Sequence, residues 1–351
     1  MSKVNQSETG SFNTFLPEGC KLCQIGAKMV LFVTGICPRD CFYCPVSMER
    51  RIEVAYANER LVNSDQDILE EARQMDALGT GITGGEPLLR LGDVLHYIRL
   101  LKSEFGKEHH IHLYTSLAPD RETIAMLAEA GLDEIRFHPP VDLWSNIEES
   151  NYPRSIEYAK DHGIKVGIEV PAIEGIENIA HLSRNIDCFL NLNELEFSDS
   201  NVEGMKLRGF VLESDISNAV EGSQELARKI IPLAGKMHFC SSTYKDAVQL
   251  RERLIRIAQN TARDFDDITE DGTIIYGKII CEDKSSMQSI IECFLEQGVP
   301  DEMMETMVSG IETAWWILED LAELIRQNTD EMFIMERYPF EKGLIVEKMP
   351  V

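Results

Sequence analysis

Short apolar runs alternate with amphipathic stretches through the first two-thirds of the chain. The runs span four to six residues and are rich in β-branched side chains, which is typical of buried strands in a parallel sheet. They predict seven strands: Met29–Val33, Thr80–Thr83, His110–Thr115, Glu134–His138, Lys165–Val170, Glu194–Phe197 and Lys236–Cys240. The amphipathic stretches predict helices at Ser64–Leu78, Leu91–Phe105, Pro119–Gly131, Arg154–His162, Ile176–Phe189 and Tyr244–Ala262.

This alternation predicts a parallel sheet with right-handed helical crossovers. The pattern alone fits both an open barrel and a doubly wound sheet. Residues 1–28 are expected to form an N-terminal leader that carries the Cys20/Cys23 pair, of which residues 1–19 are polar and predict a loose segment, and residues 29–263 are expected to form the main domain. Beyond Asp264 the pattern changes to a turn at Asp271-Gly272 and an alternating run at Thr273–Cys281, which predicts a small α+β domain over 264–351.

Composition narrows the class of protein. Hydrophobic residues make up 44% of 351 residues, enough for a sizeable core. The net charge of −26, from 60 acidic and 34 basic residues, disfavours a nucleic-acid substrate. Nine cysteines, five of them between Cys20 and Cys44, favour metal ligation in a reducing cytoplasm over disulfides. Apolar runs stay well short of the roughly 20 residues of a membrane helix.

The segment Cys37-Pro38-Arg39-Asp40-Cys41-Phe42-Tyr43-Cys44 puts three thiols on the loop after the first predicted strand. Parallel α/β sheets place their chemistry on such loops. Structural zinc usually takes four ligands from two cysteine pairs, and this loop offers three ligands and one close pair. Three cysteines on a cluster of four irons leave one iron open to a small chelating molecule. A zinc site completed from elsewhere, or a redox dithiol, is the alternative on spacing alone.

Cys-x3-Cys-x2-Cys, with Tyr43 before the last cysteine, resembles the signature of the radical S-adenosylmethionine (SAM) superfamily. A second motif, Gly84-Gly85-Glu86-Pro87, follows the second predicted strand and is similar to the GGE motif of that superfamily. Within it, the chain looks closest to proteins related to activating enzymes of glycyl-radical enzymes, such as pyruvate formate-lyase activating enzyme. The resemblance implies a partial (β/α)6 barrel, open on one side.

The resemblance also implies cofactors and their contacts. Cys37, Cys41 and Cys44 would ligate three irons of a [4Fe–4S] cluster, and SAM would chelate the fourth through its amino and carboxylate groups. Contacts with SAM are implied for the following residues: Tyr43 at the adenine, Gly84, Gly85 and Glu86 at the methionine amino group, Thr115 and Ser116 at the ribose, and Glu169 at the adenine side.

Several of these residues have a plainer interpretation. Thr115 and Ser116 could begin an ordinary turn, and Glu169 could face the surface or a helix. His138, at the end of the fourth predicted strand, is a candidate acid or base together with Glu169. A structural histidine with satisfied hydrogen bonds is the competing interpretation.

A second set of ligand-type residues lies outside the first motif. Cys20 and Cys23 have metal-ligand spacing, and His238 and Cys240 point the same way from one predicted strand. If the leader packs between the first and seventh strands, the four could bind zinc or a second iron–sulfur cluster. Buried thiols without a metal are the alternative.

These observations predict an enzyme that abstracts a hydrogen atom from a C–H bond of a protein, a peptide or a small molecule. The resemblance implies reduced ferredoxin or flavodoxin as the electron donor. Two alternatives remain open from the sequence. One is methyl transfer or tRNA or RNA modification with the same cofactors. The other is a non-catalytic metal-binding or sensory protein, for which the Gly84-Gly85-Glu86 motif would have no use.

Overall fold

A computed structural model describes residues 3–281, 283–340 and 343–351. The chain divides into two compact units. The first comprises the residues up to Arg73 together with Ala77–Leu250, and the second comprises Gln74–Asp76 and the residues from Arg251 onwards. The predicted boundary lay later in the chain, after residue 263. Among the described residues, the helices are too short or too polar to cross a membrane.

The first unit contains eleven described strands and nine described α-helices. The strands are β1 (Asn5–Gln6), β2 (Phe12–Asn13), β3 (Lys28–Phe32), β4 (Tyr56–Ala57), β5 (Arg60–Leu61), β6 (Gly79–Thr83), β7 (His110–Thr115), β8 (Glu134–Phe137), β9 (Lys165–Pro171), β10 (Phe189–Asn193) and β11 (Lys236–Cys240). The helices are α1 (Glu18–Gln24), α2 (Asp65–Gln74), α3 (Leu91–Phe105), α4 (Arg121–Ala130), α5 (Tyr152–Asp161), α6 (Ile176–Asn185), α7 (Val202–Lys206), α8 (Ser223–Ile230) and α9 (Ser242–Tyr244).

Seven of these strands form a parallel sheet in the order β3-β6-β7-β8-β9-β10-β11. Antiparallel strands β4 and β5 extend one edge, and β2 and β1 extend the other. Because neighbours follow chain order throughout, right-handed crossovers place the connecting helices on one face. A doubly wound sheet instead reverses its strand order at a switch point. The fold is therefore an α/β open barrel, as expected, with seven parallel strands in the described part of the chain.

The face of the sheet that lies away from the connecting helices carries several buried polar side chains. His112, Arg136, Asn191 and His238 are all nearly inaccessible to solvent. Helix α1 lies against this face, in contact with β3, β6 and β7. The leader over residues 1–28 supplies α1 and the strand β2 that pairs with β11, so the segment 1–19 is not loose throughout as predicted.

The sixth parallel strand lies earlier than predicted. Helix α6 ends at Asn185, and the next residue but one, Asp187, has a positive φ of 47° that turns the chain out of the helix. Strand β10 then covers Phe189–Asn193 and not Glu194–Phe197. Its sequence Phe-Leu-Asn-Leu-Asn alternates with period two, which was the available signal for a strand.

The second unit is a small α+β domain. Its strands are β12 (Asp267–Ile268), β13 (Ile274–Ile280), β14 (Met304–Met307), β15 (Gly310–Thr313), β16 (Glu331–Arg337) and β17 (Ile345–Pro350), and its helices are α10 (Arg251–Thr261), α11 (Lys284–Glu296) and α12 (Trp315–Ile325). The strands pair antiparallel in the order β14-β15-β13-β16-β17, and β12 also pairs with β13. Side chains of α11 and α12 pack with β13 and β15 in the core of this unit.

Candidate active site

A cavity of about 630 Å³ opens at the C-terminal edge of the parallel strands, within the first unit. Sites for small-molecule ligands typically enclose about 300–1,000 Å³. The cavity is lined by residues from several different strand ends, and these include ten of the eleven predicted for the first site: Cys37, Cys41, Tyr43, Cys44, Gly84, Gly85, Thr115, Ser116, His138 and Glu169. The structure therefore brings together the two motifs and the residues from β7, β8 and β9.

The three cysteines of the first motif are available as ligands. None of them forms a disulfide; Cys37 is exposed, and Cys41 and Cys44 are partly buried. Burial raises the pKa of the Cys37 and Cys41 thiols, so a metal must displace their protons on binding. Among the described residues, no three His, Cys, Asp or Glu side chains converge on a point that could hold a single ion. An iron–sulfur cluster does not require that convergence, because each cysteine binds a different iron.

The two glycines of the second motif hold its loop against the segment that leads into the cysteine loop. Gly84 has a φ of +155°, and a Cβ there would lie 2.5 Å from the Thr34 carbonyl oxygen. A Cβ on Gly85 would lie 2.5 Å from the Ile36 carbonyl oxygen. The Gly85 amide donates to Thr34 O at 2.6 Å, and the Glu86 amide donates to Ile36 O at 2.9 Å. The absent side chains thus permit contact between two loops, in addition to any approach of a ligand.

Glu86 is fully buried, and its carboxylate accepts hydrogen bonds from neighbouring residues. Its Oε1 accepts a hydrogen bond from Thr115 Oγ1, and its Oε2 accepts from the amide and hydroxyl of Ser116, each at 2.7 Å. Oε1 also accepts from the Leu88 amide at 3.1 Å, which caps the short 3₁₀ helix Pro87–Arg90. The Glu86 side chain does not line the cavity. The expected contact of Glu86 with the cofactor stays a prediction; in the structure its carboxylate orients Thr115 and Ser116, which line the cavity.

Tyr43 and His138 form a hydrogen-bonded pair in the cavity wall. The Tyr43 hydroxyl lies 2.9 Å from His138 Nε2, and His138 Nδ1 lies 2.7 Å from the carbonyl oxygen of Glu169. Burial lowers the pKa of His138, which favours the neutral ring. Both ring nitrogens are therefore engaged by protein groups, and this arrangement favours the structural interpretation of His138 over the catalytic one.

Glu169 is anchored by a buried charge network that was not predicted from the sequence. Its carboxylate accepts from Arg136 Nη1 at 2.8 Å and from the side-chain amides of Asn191 and Asn193 at 2.9 and 3.0 Å. Burial alone would raise the pKa of Glu169, but Arg136 and the two amides lower it to about 2. Arg136 also pairs with Glu134 on its own strand. Two opposite charges at alternate positions of a predicted core strand were the available signal for this network.

In the second set of ligand-type residues, Cys20 and Cys23 lie on α1, and His238 and Cys240 lie on β11. Cys20 Sγ accepts a hydrogen bond from Asn191 Nδ2 at 3.3 Å. Burial raises the pKa of Cys20, but Arg136 and His238 outweigh it and lower the pKa to about 7.

The other two thiols of this set are protonated in their present surroundings. Burial raises the pKa of Cys23, and it raises the pKa of Cys240 to about 12. Cys240 Sγ accepts from Gln249 Nε2 at 3.4 Å. Among the described residues, no three ligand-type side chains are arranged to hold a single ion, and this finding includes the second set. A second metal site therefore stays a prediction.

Comparisons with known proteins agree with the geometry. Residues 31–180 match the profile of the Radical SAM superfamily, and residues 272–351 match a domain of unknown function (DUF8061). A Methanocaldococcus jannaschii protein, whose name describes it as a candidate glycyl-radical enzyme activating enzyme, is 39% identical over 357 residues. That alignment covers 96% of this chain and 93% of the relative.

One solved structure shows a weaker likeness. A crystal structure of methylornithine synthase has a TM-score of 0.41 and 14% sequence identity, and the match covers 60% of this chain and 63% of that one. At this level the similarity adds nothing to the sequence match.

Proposed function

Since this chain belongs to the radical SAM superfamily, we propose that the cavity at the strand ends binds its [4Fe–4S] cluster and SAM, and that its substrate is a protein. The chain is a radical SAM enzyme of the activating-enzyme type. With these cofactors bound, reductive cleavage of SAM supplies methionine and a 5′-deoxyadenosyl radical, which abstracts a hydrogen atom from the substrate.

We assign the cofactor contacts to residues around the cavity. Cys37, Cys41 and Cys44 would hold three irons, since their thiols lie on one loop at the cavity wall and are not paired in disulfides. The backbone at Gly84 and Gly85 would meet the methionine part of SAM.

Residues at the C-terminal ends of β7 and β9, together with Tyr43, would hold the nucleoside part of SAM. Thr115 and Ser116, oriented by Glu86, present hydroxyl groups suited to a ribose. Glu169, held ionised by Arg136, and the ring of Tyr43 would face the adenine side. Arg136 and Glu86 support these contacts without lining the cavity themselves.

A protein substrate is supported by the name of the Methanocaldococcus jannaschii relative, which aligns over nearly the whole chain. On this proposal, a glycine-containing segment of a partner protein enters the cavity from its open edge. A reduced ferredoxin or flavodoxin would supply the electron. The alternative of RNA modification requires a polyanion to approach a chain of net charge −26, which the charge opposes.

The observation that carries the proposal is the presence of three unpaired thiols and the Gly84-Gly85 loop around one cavity. The test is anaerobic reconstitution with iron and sulfide, followed by reduction with dithionite in the presence of SAM. We expect 5′-deoxyadenosine and methionine in equal amounts, and at least a hundredfold less product from Cys41→Ala. Cys188→Ala, a buried thiol between α6 and β10, is the matched control and should retain the activity. Undiminished cleavage by Cys41→Ala would overturn the assignment.

We further propose that Cys20, Cys23, His238 and Cys240 bind a second metal, as zinc or an auxiliary iron–sulfur cluster. The lowered pKa of Cys20 supports it, because the thiolate is the ligand form of cysteine. Metal analysis of the purified protein should give iron beyond four per chain, or zinc near one per chain. Cys20→Ala should lose that extra metal and keep the first cluster. Identical iron and zinc contents in the two proteins would refute the second site.

A further inference from the structure

The connection between β10 and α8 reaches the cysteine loop, residues 37–44, at the carboxyl ends of the parallel strands. The Ser200 hydroxyl donates to the carbonyl oxygen of Cys44 at 3.2 Å, and the Asn201 side-chain amide donates to the carbonyl oxygen of Tyr43 at 3.1 Å. The cysteine loop follows β3, and four parallel strands separate β3 from β10 in the sheet. These hydrogen bonds therefore join loops from distant strands at the edge where the cavity opens.

The Asn201 side chain is fixed from within its own segment. It is 3% exposed; its Oδ1 accepts from the Ser198 amide at 2.8 Å, and its Nδ2 also donates to the Glu196 carbonyl oxygen at 3.0 Å. A backbone amide can only donate, so the bond to Ser198 sets the orientation of the Asn201 amide group. Its nitrogen then has two protons, one for Glu196 and one for Tyr43. An asparagine satisfies this arrangement completely, and an aspartate, which has no proton to donate when ionised, does not.

Packing contacts hold the same two segments together beside these hydrogen bonds. The ring of Phe42 stacks on that of Phe210 with centroids 5.8 Å apart, and the Arg208 guanidinium lies 4.4 Å from the Phe42 ring centroid. A Cβ on Gly204 would lie 3.1 Å from the Phe42 carbonyl oxygen, so α7 approaches the loop closely at this residue. Loss of a single hydrogen bond should therefore loosen the loop locally without detaching the segment.

The cysteine loop depends on such contacts because it lies in a stretch, residues 33–47, that contains no helix or strand. The two hydrogen bonds hold the carbonyl groups on either side of the Cys44 Cα. One carbonyl belongs to the peptide that links Tyr43 to Cys44, and the other belongs to the peptide that links Cys44 to Pro45. Since a peptide group is planar, fixing both carbonyls restricts the φ and ψ angles of Cys44 and hence the direction of its side chain.

We propose that Asn201 is a positioning residue that, together with Ser200, fixes the backbone at Cys44 and so holds this thiol in place for the cluster. The inference rests on the proposed cluster at Cys37, Cys41 and Cys44. Neither Asn201 nor Ser200 lines the cavity, so both act through the cysteine loop. A ligand that is already oriented loses less conformational freedom on binding, and removal of an orienting partner typically costs about 10–100-fold in metal affinity.

The first test is hydrogen–deuterium exchange of the full chain before iron is added, measured by mass spectrometry on peptides that cover residues 37–47. This stretch includes the Cys44 amide, which donates to the Cys41 carbonyl oxygen at 3.0 Å. Asn201→Asp keeps an acceptor for its own segment and removes the donor to Tyr43. Exchange over 37–47 should then be about fivefold faster than in wild type, as expected for one lost hydrogen bond. Peptides from β7 should exchange as in wild type, because the loosening is local.

The second test is the loss of the reconstituted cluster to an excess of an iron chelator, followed by absorbance without SAM or substrate. Asn201→Asp should lose the cluster about 10–100-fold faster than wild type, because Cys44 is no longer held in place. Ser200→Ala removes the bond to the Cys44 carbonyl oxygen and leaves Asn201 intact. It should give a smaller increase in both tests, of about fivefold or less.

Ser183→Ala is the matched control. The Ser183 hydroxyl is buried and donates to the Ala180 carbonyl oxygen at 2.9 Å, so this substitution also removes one hydrogen bond from a serine to a backbone carbonyl group. Ser183 lies in α6 and does not line the cavity. Its substitution should change neither the exchange over residues 37–47 nor the rate of cluster loss.

Two outcomes overturn the inference: exchange over residues 37–47 at the wild-type rate in Asn201→Asp, or cluster loss no faster in Asn201→Asp than in Ser183→Ala. If Asn201→Asp does not fold, Ser200→Ala decides, and wild-type rates in both tests then overturn the inference. Failure of the wild-type protein to assemble a cluster would instead contradict the proposed function. The exchange test needs no cluster, so the two failures are distinguishable.

Discussion

At the scale of single residues, the site works through pairs in which one member lines the cavity and the other fixes its orientation. Glu86 holds Thr115 and Ser116 through three hydrogen bonds of 2.7 Å, and Arg136 holds Glu169 at 2.8 Å. The cavity-lining members were predictable, because they follow a strand or a motif in the sequence. Their supporting partners were assigned a different role or missed, because buried hydrogen bonds join residues about 30 positions apart and leave no local pattern.

At the scale of elements, the local sequence pattern was enough to predict some strands, whereas the positions of other elements depend on tertiary packing. Strands β7 and β11 have the predicted bounds, since their apolar alternation is bordered by clear breaks. Strand β10 was misplaced, because its inward asparagines belong to the polar barrel interior and resemble a loop in the sequence. Helix α1 could not be foreseen as a packed element: its position depends on the inner face of β6 and β7, to which it is not adjacent in sequence.

The fit of α1 gives a prediction about its second residue. A Cβ on Gly19 would lie 2.6 Å from His112 Nδ1 and 2.7 Å from Arg136 Nη2, two side chains that are themselves fully packed. Gly19→Ala should therefore push α1 off the sheet and destabilise the first unit by about 1–3 kcal/mol. Urea unfolding followed by circular dichroism measures the change.

Gly92 provides the control, because it is also the second residue of a helix, α3. Apart from its chain neighbours and the backbone of its own helix, no heavy atom of the described residues lies within 4 Å of the position that a Cβ would take there. Gly92→Ala should be neutral or stabilising by up to about 1 kcal/mol. Equal effects of the two substitutions would show that α1 does not depend on a close approach at Gly19.

At the scale of the whole molecule, the order of the parallel strands defines the fold. The seven parallel strands lie side by side in chain order, which leaves their C-terminal ends along one open edge. The two sequence motifs follow the first two strands of that order, so the fold itself brings them together. The sequence predicted this arrangement because each motif sits directly after its strand. The boundary between the two units after Leu250 was harder to predict from the sequence, because α10 continues the helical sequence pattern across it.

The central claim is that three cysteines leave one iron of a cluster open for SAM. The most direct measurement is the electron paramagnetic resonance spectrum of the reduced, reconstituted protein before and after addition of SAM, under conditions that prevent turnover. The account predicts a change in the spectrum of the cluster as SAM binds to its open iron. A fully assembled cluster whose spectrum is identical with and without saturating SAM would contradict it.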